Sequence, residues 1–202
     1  MPSDLELLDR WRDDDLEAGN QLFKRHFASL CQFFENKLDD DDVGELVQRT
    51  FLACVRSRDS FRGQSSFRTY MFAIARNELY AFFRRRRTIR DKFDFDHDSV
   101  ADLGTSPSAA LARDQHHALL LQALRSVPVE QQLLLELYYW EELDAGELAE
   151  VFGIERATAR TRLHRARALL KAEFERLSRA AGVDREFDLA SAKAVLRPAV
   201  QR

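Results

Sequence analysis

The segment ERATARTRLHRARALLK, residues 155–171, carries arginines at 156, 160, 162, 165 and 167, and no acidic residue falls between 156 and 172. Placed on a helix at about 100° per residue, Ala159, Leu163, Ala166, Leu170 and Phe174 form one apolar stripe. Thr158, Thr161 and Arg165 point directly away from it, flanked by Ala157, Arg160, Arg162 and His164. Arginine forks onto guanine N7 and O6 or onto phosphate, threonine hydrogen-bonds or meets a thymine methyl, and alanine admits close approach. That face suits a DNA major groove. A surface helix held by Glu–Arg pairs would need acids at four-residue spacing, and between 156 and 172 there are none.

The elements ahead of this helix are punctuated to present it. In DAGELAEVFG, Asp144 stands three residues before Glu147, an aspartate variant of the capping box, and Gly153 sits where a helix stop is expected. A short helix, a glycine turn and a long basic helix make a helix-turn-helix signature. Pro128 opens the preceding helix, because proline fits a first helical turn, and AALARDQHHALLLQALRSV supplies another before it.

A net charge of -3 conceals a strong alternation along the chain. Residues 1–60 hold 8 basic and 14 acidic side chains, and residues 61–92 hold 9 and 2. Residues 93–154 then hold 2 and 12, and residues 155–202 hold 12 and 6. Two basic surfaces separated by an acidic middle suggest two contacts with a polyanion, while the acids limit nonspecific binding or face something basic.

Apolar residues from Leu5 to Phe34 recur at helical spacing, which predicts two helices broken near Asp13 to Asp15. DDDD at 39–42 ends one helix and caps the next, which carries Val43, Leu46, Val47, Thr50, Phe51 and Cys54. SRDSFRGQSS reads as a loop, and residues 67–87 form a helix apolar on most sides that ends in four arginines. DFDHDSVADLGTSPS lacks periodicity and reads as a linker. The expected fold is all-α: an N-terminal helical bundle over 1–92, a flexible acidic linker over 93–110, and a helix-turn-helix domain over 111–178. Residues 179–202 form an extension in which Asp188 is placed to cap a last helix.

Composition excludes several classes. With 45% apolar residues and 32% charged, the chain is an ordinary globular protein, and seven Gly and four Pro favour helix over sheet. No run approaches the ~20 apolar residues of a membrane span, and the N-terminal sequence lacks a signal peptide's regions, so no membrane insertion and a cytoplasmic location are expected. Cys31 and Cys54, apart from other ligands, read as buried reduced thiols. No phosphate loop, metal-spaced Cys/His set or nucleophile motif is present, so no enzyme activity, cofactor or metal is expected. His116 and His117 project about 100° apart and read as surface or interdomain residues.

At these segments the sequence resembles a known family. GELAEVFGIERATARTRLHRARALLK is similar to region 4 of bacterial RNA polymerase sigma factors of the extracytoplasmic-function (ECF) group, in which a helix-turn-helix reads the promoter -35 element. DDVGELVQRTFLACV resembles region 2.2, and SFRGQSSFRTYMFAIARNELYAFFRRRR resembles regions 2.3 and 2.4. Tyr70 stands where Trp is usual, and Glu155 and Arg156 replace the customary proline at the start of the recognition helix.

The resemblance implies roles at three surfaces. Ala157, Thr158, Arg160, Thr161, Arg162, His164 and Arg165 would read the -35 duplex. Phe61, Arg62, Ser65, Ser66, Phe67, Arg68, Thr69 and Asn77 match the segment that captures a flipped base of the -10 non-template strand, with Arg76 and Arg84, Arg85, Arg86 and Arg87 on phosphates. Aromatic rings, arginines and small polar groups suit single strands, although Phe67, Met71, Phe72 and Ile74 equally suit a core. Leu46, Gln48, Arg49, Phe51 and Leu52 would dock on core RNA polymerase, which the family engages through its beta-prime and beta subunits. Leu46 and Phe51 fit core packing as well as an interface. Promoter DNA and an anti-sigma factor are the other implied partners. The rival reading is a helix-turn-helix regulator with an N-terminal helical sensor or dimerisation domain; it diverges at residues 42–87, because such a regulator has no need of a strand-capturing aromatic and arginine segment.

Overall fold

The computed structural model describes residues 1–86, 94–103, 115–182 and 187. Arg87, residues 104–114 and the helix expected after Asp188 lie outside the described residues. Among those described, every element is helical, apart from one isolated bridge between Ser99 and Pro128. No described helix is long and apolar enough to cross a membrane.

The N-terminal half comprises α1 (Asp4–Arg12), α2 (Leu16–Glu35), α3 (Asp40–Ser57), a 3-10 turn (Arg58–Ser60) and α4 (Phe67–Arg86). Ser3 and Glu6 close a capping box on α1, and Asp15 caps α2 by accepting from the Ala18 N–H at 3.1 Å. Asp14 between them adopts φ 64°, the left-handed turn that separates the two helices. Asp39 precedes α3 without a side-chain cap bond, and Asp40, Asp41 and Asp42 lie in its first turn, where carboxylates meet the positive end of the helix dipole. Leu22, Leu30, Phe34, Leu46, Phe72, Leu79 and Phe83 are fully buried between these helices. Each such side chain contributes about 1.5–3 kcal/mol on leaving water.

The C-terminal half comprises α5 (Gln115–Ser126), α6 (Val129–Tyr139), α7 (Ala145–Phe152) and α8 (Arg156–Ala180), with α8 packed on the other three. Pro128 is the N-cap of α6 and offers no side-chain acceptor. The segment 94–103 supplies one instead: Phe95 and Asp98 carbonyls accept from the Glu130 and Val129 N–H groups at 3.1 and 3.0 Å. In the same segment Phe95 stacks on Tyr80 of α4 at 3.7 Å, and Val100 is fully buried. This acidic stretch is thus packed between α4 and α6.

The two halves pack against each other, α4 against α7, which explains why α4 is apolar on most sides. A buried polar cluster also joins the halves, between the end of α2 and α6. Glu136 of α6 pairs with Lys37, accepts from Asn36 Nδ2 at 2.9 Å and from Gln132 Nε2 at 2.8 Å, and both Lys37 and Glu136 are at most 1% exposed. Burial pulls the Lys37 ammonium below its ordinary range, while Glu136 opposes that shift. His117 is buried and His116 meets the Phe174 ring edge-on at 5.2 Å, so neither is a free surface residue. Both cysteines are free thiols, with Cys54 buried and Cys31 half-buried. Burial pushes Cys54 to about 12 and raises Cys31 as well.

Candidate nucleic-acid interfaces

The helix-turn-helix is built by local chemistry before any tertiary contact. Asp144 Oδ1 accepts from the Gly146 and Glu147 N–H groups at 2.5 and 3.0 Å, and Glu147 Oε2 accepts from the Asp144 N–H at 2.9 Å. Those two N–H donors hold the Asp144 carboxyl below its usual range. At the other end of α7, Gly153 takes φ 65° and ψ 38°, a left-handed stop, and the Ile154 N–H returns to the Ala149 carbonyl at 2.9 Å. The chain turns there and α8 begins.

Ala159, Leu163, Ala166, Leu170 and Phe174 are all buried, so the apolar stripe of α8 faces the domain. Ala157, Thr158, Arg160, Thr161, His164 and Arg165 are exposed together on the outer side. Thr161 Oγ1 donates back to the Ala157 carbonyl at 3.1 Å, which leaves the oxygen's lone pairs able to accept. Arg162 is placed differently: its guanidinium is half-buried and paired with Glu130 of α6. Arg167 turns inward too, donating to Tyr139 Oη at 2.7 Å and lying over the Tyr138 ring.

The loop and helix at 61–86 divide into three groups. Phe61 and Phe67 are buried, Phe61 stacked on Tyr70 at 4.4 Å, and Thr69 is buried beside the Ser66 hydroxyl, which caps α4 by accepting from the Thr69 N–H at 3.0 Å. Arg62, Ser66, Asn77, Arg84, Arg85 and Arg86 are exposed, with Ser65 half-buried. Arg86 is tied to Asp42 at 2.9 Å, and Arg84 lies over the Phe95 ring. The third group faces the C-terminal half. Arg76 donates to the Val151 carbonyl at 2.6 Å and lies over Phe152, Arg68 stands 3.9 Å from Glu147 Oε1, and Thr69 Oγ1 donates to the same oxygen at 3.4 Å.

The surface assigned to polymerase is split as well. Leu46 is fully buried in the core, Gln48 is exposed, and Phe51 is half-buried, stacked on Phe23 at 4.5 Å. Arg49 bridges Glu78 at 2.8 Å and Glu45 at 3.3 Å. Leu52 is 47% exposed and continues into Val55 on the same side of α3. With Arg49, Arg56 and Tyr70 it lines an open groove of about 500 Å³ between α3 and α4. Val55, Arg56 and Glu78 were not singled out in the sequence, yet Val55 and Arg56 follow Leu52 at the spacing of one helix face.

Comparison with known proteins bears on these surfaces. Residues 22–89 match the family model described as Sigma-70 region 2, and residues 117–170 match Sigma-70, region 4. Together the two cover more than half of the chain. An ECF RNA polymerase sigma-E factor of Haemophilus influenzae is 24% identical over 183 residues, 87% of this chain and 97% of the relative. The protein of the same name from Escherichia coli strain K12 is 24% identical over 185 residues, 88% and 97% of the two chains. In fold, the chain is similar to CnrH in complex with the cytosolic domain of CnrY, with a TM-score of 0.63 at 24% identity, covering 84% of this chain and 95% of that one. It is also similar to the sigma factor RpoE in complex with the anti-sigma factor NepR from Bartonella quintana, with a TM-score of 0.58 at 22% identity over 82% and 98%.

Proposed function

Because this chain belongs to the sigma-70 family of RNA polymerase sigma factors, in its extracytoplasmic-function group, we propose that it binds core RNA polymerase and selects promoters through two separate DNA contacts. The outer face of α8 reads the -35 duplex, and α4 with the loop before it captures the -10 non-template strand. The observation that carries this reading is the exposed array Ala157, Thr158, Arg160, Thr161, His164 and Arg165 on the second helix of a helix-turn-helix, with no acid among them. A helix so faced enters the major groove and reads donors and acceptors on base edges.

On α4, exposed Asn77 has the donor and acceptor to read an unpaired base, and Arg84, Arg85 and Arg86 are spaced to follow phosphates. Phe61 and Phe67, both buried, support this surface from beneath. Polymerase docking is carried by the exposed face of Gln48, Leu52 and Val55 with Arg49 beside it, and Leu46 holds that face in place from the core. An anti-sigma factor, as found with the Bartonella quintana relative, is a third partner in this reading. In this reading the protein acts in the cytoplasm and bond formation is left to the polymerase.

The deciding experiment adds the full chain to sigma-free core polymerase on a promoter library. Specific initiation from a sequence-defined subset is expected. Initiation no better than core alone would overturn the proposal.

A further inference from the structure

Arg162 stands at the border of the outer face of α8. Its neighbours on the helix are Thr158 and Arg165, both exposed, on one side and Ala159 and Ala166, both buried, on the other. A long arginine side chain rooted there can lie back on the domain or swing out to the phosphates that flank a groove. It lies back, half-buried and paired with Glu130 in the first turn of α6. Since α8 carries no acid between 156 and 172, that partner has to come from another element.

A second carboxyl meets Glu130 from the other direction. The Glu130 N–H is bonded to the Phe95 carbonyl at 3.1 Å, which brings the 94–103 segment over the start of α6, and the Asp96 carboxyl of that segment hydrogen-bonds the Glu130 carboxyl. Two carboxyls in such contact share a proton, because charging both costs energy at that separation. Among the described residues, the titratable and charged groups that face Glu130 are Asp96 from the segment, Arg162 from α8, and Arg76 and Tyr80 from α4. Arg76 is bonded to the Val151 carbonyl at 2.6 Å, and burial pushes the Tyr80 phenol up, so that it stays neutral. Arg162 and Asp96 therefore compete for one carboxyl. Ionised, Glu130 holds the arginine; protonated, it bonds to Asp96 instead.

We propose that Glu130 is a positioning residue for duplex binding: its carboxylate withholds Arg162 from the DNA backbone, and a proton shared with Asp96 releases the guanidinium to make one further phosphate contact. Burial first and then Asp96 push the Glu130 carboxyl up to about 7, against the pull of Arg162 and Arg76, so the exchange falls in the neutral range. The inference rests on the reading of α8 as the helix that contacts the -35 duplex.

Fluorescence anisotropy of the full chain tests it, on a short duplex carrying a -35 sequence recovered from the promoter library and on a scrambled duplex of the same composition. At about pH 8, above the Glu130 value of about 7, Glu130→Gln is expected to bind both duplexes several-fold more tightly than the unaltered chain. Its plot of log affinity against log salt is expected to steepen by about 0.9, the signature of one more neutralised phosphate. At about pH 6 the two proteins are expected to converge, because Glu130 is then mostly protonated in the unaltered chain. Any titration of His164 is common to both and drops out of the comparison. In an Arg162→Ala background, Glu130→Gln is expected to leave duplex binding unchanged. Asp96→Asn separates the mechanism from a general charge effect. Near pH 7 it is expected to weaken duplex binding, since Glu130 without its carboxyl neighbour stays ionised and keeps Arg162, whereas a mere loss of negative charge would tighten it. Circular dichroism melts establish that each variant is folded, and if Glu130→Gln is not, Asp96→Asn decides.

The outcomes separate this inference from the function it rests on. An unaltered chain with no preference for the recovered duplex over the scrambled one would overturn the reading of α8, and the inference with it. If that preference is present but the unaltered chain and Glu130→Gln have parallel pH profiles, the reading stands and Glu130 does not withhold Arg162. Tighter binding by Asp96→Asn, or an equal effect of Glu130→Gln with Arg162 absent, would overturn it in the same way.

Discussion

Arg162 of α8 is paired with Glu130 in the first turn of α6, with side chains only 31% and 13% exposed, so one arginine of the array proposed to read DNA is engaged within its own domain. Arg165, one residue type and three positions away, is exposed. The two arginines therefore start from different states. A bidentate contact from Arg165 to guanine needs no internal bond to break, whereas Arg162 must leave Glu130 first. Arg165→Ala is expected to weaken binding to the specific -35 duplex by about 1–3 kcal/mol, with a smaller loss on unrelated duplex. Arg162→Ala is expected to cost less, and fluorescence anisotropy on both duplexes checks the pair. Equal loss on all sequences would make Arg165 a phosphate contact.

Stability should carry the signature of Glu130. Burial, then a hydrogen bond and the negative charge of Asp96, push its carboxyl up to about 7, while Arg162 and Arg76 pull the other way. A folded-state value above the unfolded one means that the folded protein keeps a proton the unfolded chain has lost. The stabilisation is full below the unfolded carboxyl's range and is lost as pH rises through about 7. Glu130→Gln, which cannot titrate, is expected to flatten this decline. Urea midpoints of the two proteins across that window provide the measurement, and parallel curves would remove Glu130 as the cause.

Leu46 and Leu52 lie six positions apart on α3 and answer to different forces. Leu46→Ala, in the core, is expected to lower stability by about 2–5 kcal/mol. Leu52→Ala, nearly half exposed, is expected to change stability by no more than ~0.5 kcal/mol while weakening capture by core polymerase. Gln48→Ala is expected to behave like Leu52→Ala. Thermal melts and titration of labelled protein with core polymerase separate the two effects. A Leu52→Ala protein with undiminished binding would move the docking face elsewhere.

Gly19 in α2 faces the Trp11 indole so closely that an added Cβ would lie 2.7 Å from two of its ring atoms. The indole cannot yield freely, because Phe23 meets it edge-on at 5.1 Å and the Arg58 guanidinium lies over it. Gly19→Ala is expected to destabilise the N-terminal half by about 1–3 kcal/mol through overpacking, even though alanine is the better helix former. A melting temperature equal to or above that of the unaltered protein would show that α1 moves away without penalty.

The sequence made some of these features readable and hid others, for physical reasons. The α8 stripe, the Asp144 cap and the Gly153 stop were legible because each is written within a few residues by helical period or backbone chemistry. The break at Asp13 to Asp15 was legible for the same reason. Lys37 and Glu136 were not, since an isolated Lys after a helix and a Glu inside an apolar one have no local spacing that links them. Residues 94–103 read as linker because Phe95 and Val100 are single apolar residues without period, and only the tertiary structure gives them Tyr80 and the core to pack on. The candidate strand-capturing residues follow from their match to a family segment, and a match by position in the chain does not distinguish a buried Phe61 from an exposed Asn77.

Glu147 divides its carboxylate between two tasks. One oxygen closes the cap of α7, while the other lies beside Arg68 and Thr69 of the opposite half. The partners from the opposite half reach the second oxygen only, and the helix start is closed by the first. The start of α7 is therefore a footing that carries its neighbour without leaning on it: the contact with Arg68 and Thr69 draws only on an oxygen that the cap leaves spare.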